Sequence, residues 1–265
     1  MTDRLNWESV RDLIEEMTGP IQAAEPVADG LNSQIAVAVR TSRGRTFVKG
    51  LRDDHPRVWT QECEKRINPY VRHLSATLQW AVERDGWNLL GFEHLDGHAA
   101  NYSPGSRDLP TIADALRRLQ DVPCPDVPMK RAEQRWAAYT DTPDLFAGDR
   151  LLHTEWTPTN VLIGDRAHIL DWAWPTRGAA WIDPACWAVW LIASGHTPAQ
   201  AEAWAACLPS WNDAPRPGVD AFVRAQAAMW ADIASADPEP WIQRLADAGR
   251  HWDTHRSAQP STQLR

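Results

Sequence analysis

The chain has 265 residues, of which 43% are hydrophobic and 23% are charged, and its formal net charge is −8. A chain of this length can bury one large core or two smaller lobes, and the composition is ordinary for a globular protein. The acidic balance argues against contact with a nucleic-acid backbone, so we expect no nucleic-acid partner. It suits a cationic small molecule, but it also simply favours solubility.

We expect a cytoplasmic protein that makes no membrane contact. Residues 1–17 carry charges throughout and have no apolar core of the kind found in signal peptides. The longest apolar stretch, residues 185–194, falls well short of the ~20 residues of a membrane span. The cysteines lie far apart and form no Cys-x-x-Cys pair, a pattern that predicts no zinc or redox site and is typical of a reducing compartment. They are Cys63, Cys124, Cys186 and Cys207.

Sequence patterns typical of strands concentrate in the first ~95 residues. Patterns of β-branched and alternating residues predict strands at residues 35–41, 46–48, 80–83 and 89–92. Helical spacing of apolar residues predicts an amphipathic helix that ends at Gly19-Pro20 and a weaker one over residues 55–66 that must stop near Pro69.

Helical patterns dominate the rest of the chain. They are predicted at residues 109–119, 129–139, 181–192, 198–207, 219–234 and 241–252. The fold class is therefore α+β, with a strand-rich N-terminal lobe and a helical C-terminal lobe, and we expect a ligand cleft between them. We place the lobes at residues 1–95 and 96–253, and we expect the polar tail, residues 254–265, to be disordered.

Chemistry-bearing side chains concentrate in residues 151–171, LLHTEWTPTNVLIGDRAHILD. A polar loop is followed by a tight hairpin with a carboxylate at its far end, which predicts that His153, Glu155, Asn160 and Asp171 meet at one rim. Asn160 and Asp171 are oxygen ligands suited to Mg²⁺, which usually binds one or two protein carboxylates together with substrate phosphates. Glu155 is a third acidic group, able to orient or deprotonate an attacking hydroxyl.

This stretch resembles the aminoglycoside phosphotransferase and choline kinase family, whose fold is that of the protein kinases. The family's loop reads His-Gly-Asp-Leu-x-Pro-x-Asn, followed by a hairpin and Ile-Asp-Trp. Here residues 153–160 read HTEWTPTN and residues 170–172 read LDW. Residues 183–185, Asp-Pro-Ala, match a later family motif. The resemblance extends over nearly the whole chain and implies a two-lobed, protein-kinase-like fold.

The resemblance implies a phosphotransferase that moves the γ-phosphate of ATP or GTP, with Mg²⁺, to a hydroxyl of a small-molecule acceptor such as an amino sugar, an antibiotic or a related metabolite. Glu155 occupies the position of the family's catalytic aspartate. This difference leaves open a catalytically impaired nucleotide-binding protein, and the fold also leaves open a nucleotidyl transferase. The sequence leaves the acceptor and the oligomeric state open as well.

The resemblance assigns Lys49 as the lysine that contacts the α- and β-phosphates, and such a lysine pairs with a helix glutamate. Glu62 and Glu64 are the candidates, and they point to different helix faces. Glu64 is the better candidate, because Ile67 and Val71 follow it at i+3 and i+7 and place it beside the apolar face.

Further nucleotide contacts are expected at two other places. The small residues Gly30, Asn32 and Ser33 precede the first clear strand, where backbone N–H groups can cradle phosphates. Glu93 begins the segment that corresponds to the family's hinge, whose backbone meets the adenine. His153 and Asp183 are interpreted as structural, His153 as a prop of the loop and Asp183 as an anchor for residues 172–181.

Overall fold

The computed structural model describes residues 4–27 and 33–259, with side chains from residue 7 onward. The chain forms two compact units. The first comprises Met1–His98 together with His168–Trp174, and the second comprises Ala99–Ala167 together with Pro175–Arg265. The short segment that contains Asp171 thus belongs to the first unit, which a linear division at residue 95 does not anticipate.

The helices of the described residues are α1 (Arg4–Thr18), α2 (Trp59–Val71), α3 (Leu109–Gln120), α4 (Ala132–Arg135), α5 (Ile182–Ala193), α6 (Pro198–Ala205), α7 (Pro209–Asn212), α8 (Arg216–Ala236) and α9 (Pro240–Ser257). The strands are β1 (Ala23–Pro26), β2 (Ile35–Thr41), β3 (Gly44–Arg52), β4 (Leu78–Arg84), β5 (Trp87–Glu93), β6 (His98–Ala99), β7 (Lys130–Arg131), β8 (Arg150–Leu152), β9 (Val161–Ile163), β10 (Ala167–Ile169) and β11 (Thr176–Gly178). Short 3₁₀ turns occupy Ala137–Tyr139, Pro143–Phe146 and Pro158–Asn160.

The first unit is built on a five-stranded antiparallel sheet with the order β1-β2-β3-β5-β4. The strands predicted from alternation are confirmed, and most are longer than predicted, because backbone pairing extends each hairpin to its turn. One face of the sheet buries a cluster of apolar residues with helix α1: Val10, Leu13, Ile14, Ile35, Val37, Val39, Val48, Trp87 and Leu89. Val48 lies on this face, so its neighbour Lys49 is directed to the opposite face, where helix α2 packs against β4 and β5.

Helix α2 differs from its prediction at both ends. It begins at Trp59, because residues 55–58 form turns in which the Val58 N–H bonds the His55 carbonyl. It also runs through Pro69 to Val71. A proline in the last turn removes only one backbone hydrogen bond, and the burial of Ile67 and Val71 outweighs that loss.

The second unit is mainly helical, as expected, and aromatic rings fill much of its core. Trp136, Phe146, Trp181 and Phe222 meet edge to face, with ring centroids 4.9–6.5 Å apart. Such pairs add to the free energy gained from burial alone. The chain has 16 tryptophans, and those that are buried in either unit are Trp87, Trp136, Trp156, Trp172, Trp181, Trp187 and Trp252.

The prediction of a helix over residues 129–139 is wrong. Lys130 and Arg131 form strand β7, which pairs in parallel with Thr176 and Arg177 of β11. Only Ala132–Arg135 is α-helical. Strand β11 also pairs antiparallel with β8, which leads directly into the loop that begins at His153. Tertiary strand pairing thus overrides the local helical pattern, and it fixes the start of that loop.

The predicted disorder of the tail is wrong for residues 254–257, which complete helix α9. Arg256 lies in this last turn and makes ion pairs with Asp220 and Glu202, at 2.6 and 2.7 Å. Residues 260–265 lie outside the described residues. None of the helices described has the length and apolar character needed to cross a membrane.

Candidate functional site

Three charged side chains of the first unit converge on one another. The Lys49 ammonium contacts a carboxylate oxygen of Glu64 and lies 2.8 Å from Oδ1 of Asp171. Lys49 and Glu64 are nearly buried, with 12% and 7% of their side chains exposed, and Asp171 keeps 24%. The predicted pairing of Lys49 with Glu64 is confirmed, and the structure adds Asp171, which lies 122 positions later in the chain.

The opposite charges of this triad attract one another in a site of low water access. Burial alone would lower the pKa of Lys49, but the carboxylates of Asp171 and Glu64 outweigh it and raise that pKa, so Lys49 stays a cation. Burial raises the pKa of Glu64, and the like charge of Asp171 raises it further. The positive charge of Lys49 lowers it and so opposes both effects. A cation held between two carboxylates is a fixed point charge with a defined position.

Glu62 takes no part in this triad. Its carboxylate pairs with Lys65 at 2.6 Å and with Arg66 at 3.1 Å, and 42% of its side chain is exposed. The two glutamates lie two positions apart on helix α2 and therefore point in different directions. Burial of Glu64, Ile67 and Val71 identifies the inner face, as the apolar spacing of the sequence predicts.

Asp171 is held in the left-handed region, with φ of 58°, a conformation that aspartate tolerates better than most residues. The segment around it is tied to the first unit at several points. The Ile169 N–H donates to the Leu74 carbonyl at 2.7 Å, and the backbone N–H of Trp172 donates to the Glu64 carboxylate. The Trp174 ring meets Trp59 of helix α2 edge to face at 4.8 Å. The position of Asp171 is thus fixed from both sides.

The loop that begins at His153 belongs to the second unit and is anchored by Asp183. Oδ2 of Asp183 accepts the His153 N–H at 2.9 Å, and its Oδ1 accepts the Thr154 N–H at 2.7 Å. Asp183 is therefore a structural anchor, but of this loop and not of residues 172–181 as expected. His153 is buried, and its Nδ1 accepts the Glu155 N–H at 3.3 Å, the geometry of a structural prop.

Thr154 also has a left-handed backbone, with φ of 69°. A β-branched residue rarely adopts this conformation, and strain of this kind costs about 1–3 kcal/mol. Arg135 supplies contacts that offset it. Its Nη1 donates to Oγ1 of Thr154 at 2.5 Å and to Oγ1 of Thr176 at 2.7 Å. Arg135 is not among the predicted site residues, because it belongs to no local motif and lies well before the loop in the chain.

Glu155 and Asn160 are brought together by a turn of this loop. Nδ2 of Asn160 donates to the Glu155 carbonyl at 3.1 Å, so the amide oxygen is the atom of Asn160 suited to a cation. The Glu155 side chain is half-buried and interacts electrostatically with Arg135. Burial lowers the pKa of the Arg135 guanidinium, and the Glu155 and Asp183 carboxylates oppose that shift.

The other residues predicted to contact the nucleotide are Gly30, Asn32, Ser33 and Glu93. Gly30 and Asn32 lie outside the described residues, and Ser33 is half-buried just before strand β2. The Glu93 carboxylate accepts the N–H and the hydroxyl of Thr77, at 2.9 and 3.1 Å, and the Glu93 N–H donates to the Thr77 carbonyl. The Glu93 side chain is therefore used locally, and its role toward a nucleotide stays a prediction.

Comparison with known proteins identifies the fold. No family model and no curated protein matches the sequence. Solved structures do match, including choline kinase LicA from Streptococcus pneumoniae, with 11% identity, a TM-score of 0.63 and coverage of 95% of this chain and 98% of that one. A thermostable mutant of aminoglycoside phosphotransferase APH(4)-Ia has 12% identity and a TM-score of 0.65, with coverage of 94% and 99%. A protein described as a putative fructosamine-3-kinase, from Haemophilus somnus 129PT, has 11% identity and a TM-score of 0.55, with coverage of 93% and 97%.

These matches extend over nearly the whole of each chain, so the predicted α+β, two-lobed, protein-kinase-like fold is confirmed. At such low identity the likeness establishes the fold alone. LicA has been solved in complex with AMP, and a thermostable mutant of APH(4)-Ia has been solved with ADP and hygromycin B. The residues that bind ligands in those proteins are not transferred here by the likeness.

The anchor Asp183 should make the stability of the protein depend on pH. Burial raises the pKa of Asp183 from 3.8 to about 6, against the opposing hydrogen bonds from His153 and Thr154. Between these values the folded state holds a proton that the unfolded state has lost, so stability should fall as the pH rises through this window. The full effect is about 3 kcal/mol.

Urea unfolding of the wild type and of Asp183→Asn, from pH 4 to pH 7.5, measures this effect. Asparagine does not titrate, so the wild type should lose stability relative to the variant as the pH rises. A difference that stays constant over the whole range would contradict the assignment.

Proposed function

We propose that this protein is a phosphotransferase that moves the γ-phosphate of ATP or GTP to a hydroxyl group of a small molecule. The observation that carries the proposal is the buried triad of Lys49, Glu64 and Asp171. A nucleotide kinase must neutralise and position a triphosphate, and phosphoryl transfer depends mainly on positioning and electrostatic stabilisation. A lysine fixed by one carboxylate, with a second and more exposed carboxylate beside it, meets that requirement.

In this proposal Lys49 contacts the α- and β-phosphates. Glu64 keeps the lysine charged and in place, because Lys49 would otherwise have many rotamers available. Ser33, with Gly30 and Asn32, contributes to the phosphate loop, and Glu93 contributes to nucleotide binding through its backbone, since its carboxylate is bonded to Thr77.

Asp171 and Asn160 would hold Mg²⁺. The donor set fits this ion, because a carboxylate and an amide oxygen are hard oxygen ligands and magnesium takes its further ligands from water and substrate phosphates. The Asn160 nitrogen is used by the Glu155 carbonyl, which leaves the oxygen for the cation. When bound, the ion would offset the negative charge of the phosphates.

Glu155 would orient the acceptor hydroxyl and accept its proton. The longer side chain of glutamate shifts the carboxylate by roughly 1 Å relative to aspartate, and a misplacement of that order can cost ~10²-fold in rate. In this chain Arg135 donates a hydrogen bond to the hydroxyl of Thr154, the residue before Glu155. The backbone that carries the longer side chain is therefore held in a defined position. The known small-molecule kinases with this fold leave the acceptor of this chain open.

The second candidate function is a nucleotide-binding protein that transfers phosphate poorly or not at all. The specific observation in its favour is that Glu155 stands where the resembled motif has its catalytic aspartate. Both candidates share the nucleotide site, so they differ in turnover and not in binding. A screen of γ-phosphate transfer from radiolabelled ATP to amino sugars, nucleosides and amino alcohols separates them.

The nucleotide site predicts a strong effect of Asp171→Asn. Asparagine tolerates the left-handed backbone at this position, so the variant removes the charge and leaves the conformation. We expect the Mg²⁺-dependent affinity for ATP to fall about 10- to 100-fold, which corresponds to the loss of one charged contact worth ~1.5–3 kcal/mol. Asp165→Asn is the matched control, since Asp165 is exposed in the turn between Gly164 and Arg166. Calorimetry that finds equal affinities in the two variants would refute the site.

The ion-pair partner of Lys49 offers a second test with its own control. Glu64→Gln should lower kcat/KM for ATP about 10- to 100-fold, because the lysine loses the group that fixes its position. Glu62→Gln, two residues away, should leave kcat/KM nearly unchanged, because Glu62 pairs with Lys65 and Arg66 on the more exposed side of the helix. Steady-state kinetics in which the two variants behave alike would count against the assigned role of Lys49.

Glu155 is expected to act on the acceptor and not on the nucleotide. Glu155→Ala should lower kcat by ~10²-fold or more and leave the affinity for ATP nearly the same. We expect Glu155→Asp to lower kcat too, because the shorter side chain withdraws the carboxylate from a loop built around glutamate. A large gain in rate on Glu155→Asp would favour the impaired protein, as would nucleotide binding without transfer in all three proteins.

A further inference from the structure

The peptide before Glu155 is held in an unusual conformation by a residue outside the loop. Asp85, Thr154 and Asp171 are the non-glycine residues with positive φ in the described part of the chain, and Thr154 alone among them is β-branched. A residue that adopts such a backbone persists in it only when its surroundings over-determine it. The direction of the Glu155 side chain depends on this kink, because Glu155 is the next residue.

The hydroxyl and the backbone N–H of Thr154 both have hydrogen-bond partners. The N–H donates to Asp183 at 2.7 Å, and the hydroxyl donates to the His153 carbonyl at 2.6 Å. The same hydroxyl accepts a hydrogen bond from Arg135 at 2.5 Å. Two of these bonds lie within the loop and its anchor, and Arg135 supplies the contact that comes from helix α4.

Arg135 is well suited to hold this position. Its Nη1 bridges the hydroxyls of Thr154 and Thr176, and Thr176 lies in strand β11, which pairs with the strand that leads into the loop. The planar guanidinium offers several donors in a fixed geometry, whereas a lysine ammonium is a flexible point charge. The positive charge of Arg135 also acts on the Glu155 carboxylate.

We propose that Arg135 is a positioning residue for Glu155: it holds the left-handed backbone of Thr154 through the threonine hydroxyl and attracts the Glu155 carboxylate by its charge, so that the three residues act as one unit. This inference rests on the proposed function in which Glu155 faces the acceptor. It assigns a role in turnover to a residue that the proposed function places in contact with neither the nucleotide nor the acceptor.

A double-mutant cycle on kcat tests this unit. Arg135→Lys should lower kcat roughly 10- to 100-fold and change KM for ATP less than about twofold, because the residues assigned to the nucleotide are unaltered. In the Glu155→Gln background, Arg135→Lys should have almost no further effect on kcat. Arg131→Lys is the matched control, since Arg131 is exposed and pairs with Glu133, and it should leave kcat unchanged.

Two effects that simply multiply in the double variant would overturn the inference, because they would mean that Arg135 acts on the protein generally and not through Glu155. If Arg135→Lys does not fold, Thr154→Val replaces it in the cycle. Valine has nearly the shape of threonine but carries a methyl group in place of the hydroxyl, and the same pattern of kcat values is expected.

A second measurement needs no turnover. Hydrogen exchange of the peptide that covers residues 153–160 should become about 10-fold faster or more in Arg135→Lys and stay unchanged in Arg131→Lys. Equal exchange in both variants overturns the inference even if the wild type is an active kinase. A wild type that binds nucleotide but transfers no phosphate overturns the proposed function instead, and faster exchange in Arg135→Lys alone would still support the hold of Arg135 on the loop.

Discussion

The first unit depends on the ion triad that Lys49 makes with Glu64 and Asp171. Moving a charged group from water into a protein interior is costly unless the charge is paired and hydrogen-bonded. Here the two carboxylates come from a helix and from a distant segment of the chain. That pairing needs three features of the first unit. The sheet directs Lys49 away from the α1 face, the inner face of α2 presents Glu64, and the attachment of residues 168–174 places Asp171. The same arrangement leaves Asp171 the most exposed of the three.

How much of this site the sequence predicts depends on how far apart along the chain the interacting residues lie. The resemblance implies that Lys49 pairs with a helix glutamate. The apolar residues at i+3 and i+7 from Glu64 mark the inner face of that helix, so the spacing selects Glu64 over Glu62. The addition of Asp171 to the same cluster is not predicted by spacing, since the contact spans 122 positions. The resemblance draws attention to Asp171, but as a metal ligand and not as the partner of a lysine.

The loop of the second unit shows the same limit. The motif around residues 153–160 identifies Glu155 and Asn160, and the prop role of His153 follows from it. Asp183 is predicted as an anchor of residues 172–181, whereas the structure shows that it anchors the loop through the His153 and Thr154 N–H groups. Arg135 has no signal of its own, because its partners Thr154 and Thr176 reach it only through the pairing of β7, β11 and β8. The same pairing explains the error over residues 129–139: the helical spacing of apolar residues is real, but strand contacts and the packing of aromatic rings decide the backbone.

The assignment of His168–Trp174 to the first unit has a consequence for how the chain is made. Residues 1–98 are synthesised before the segment that contains Asp171. At that stage Glu64 is the member of the triad that is available to Lys49. The whole stretch Ala99–Ala167 of the second unit is synthesised before the segment that completes the first. During that interval Glu64 is available to Lys49, and the third charge becomes available only after Asp171 has been synthesised. The first unit is therefore finished late in synthesis, although most of its residues are made early.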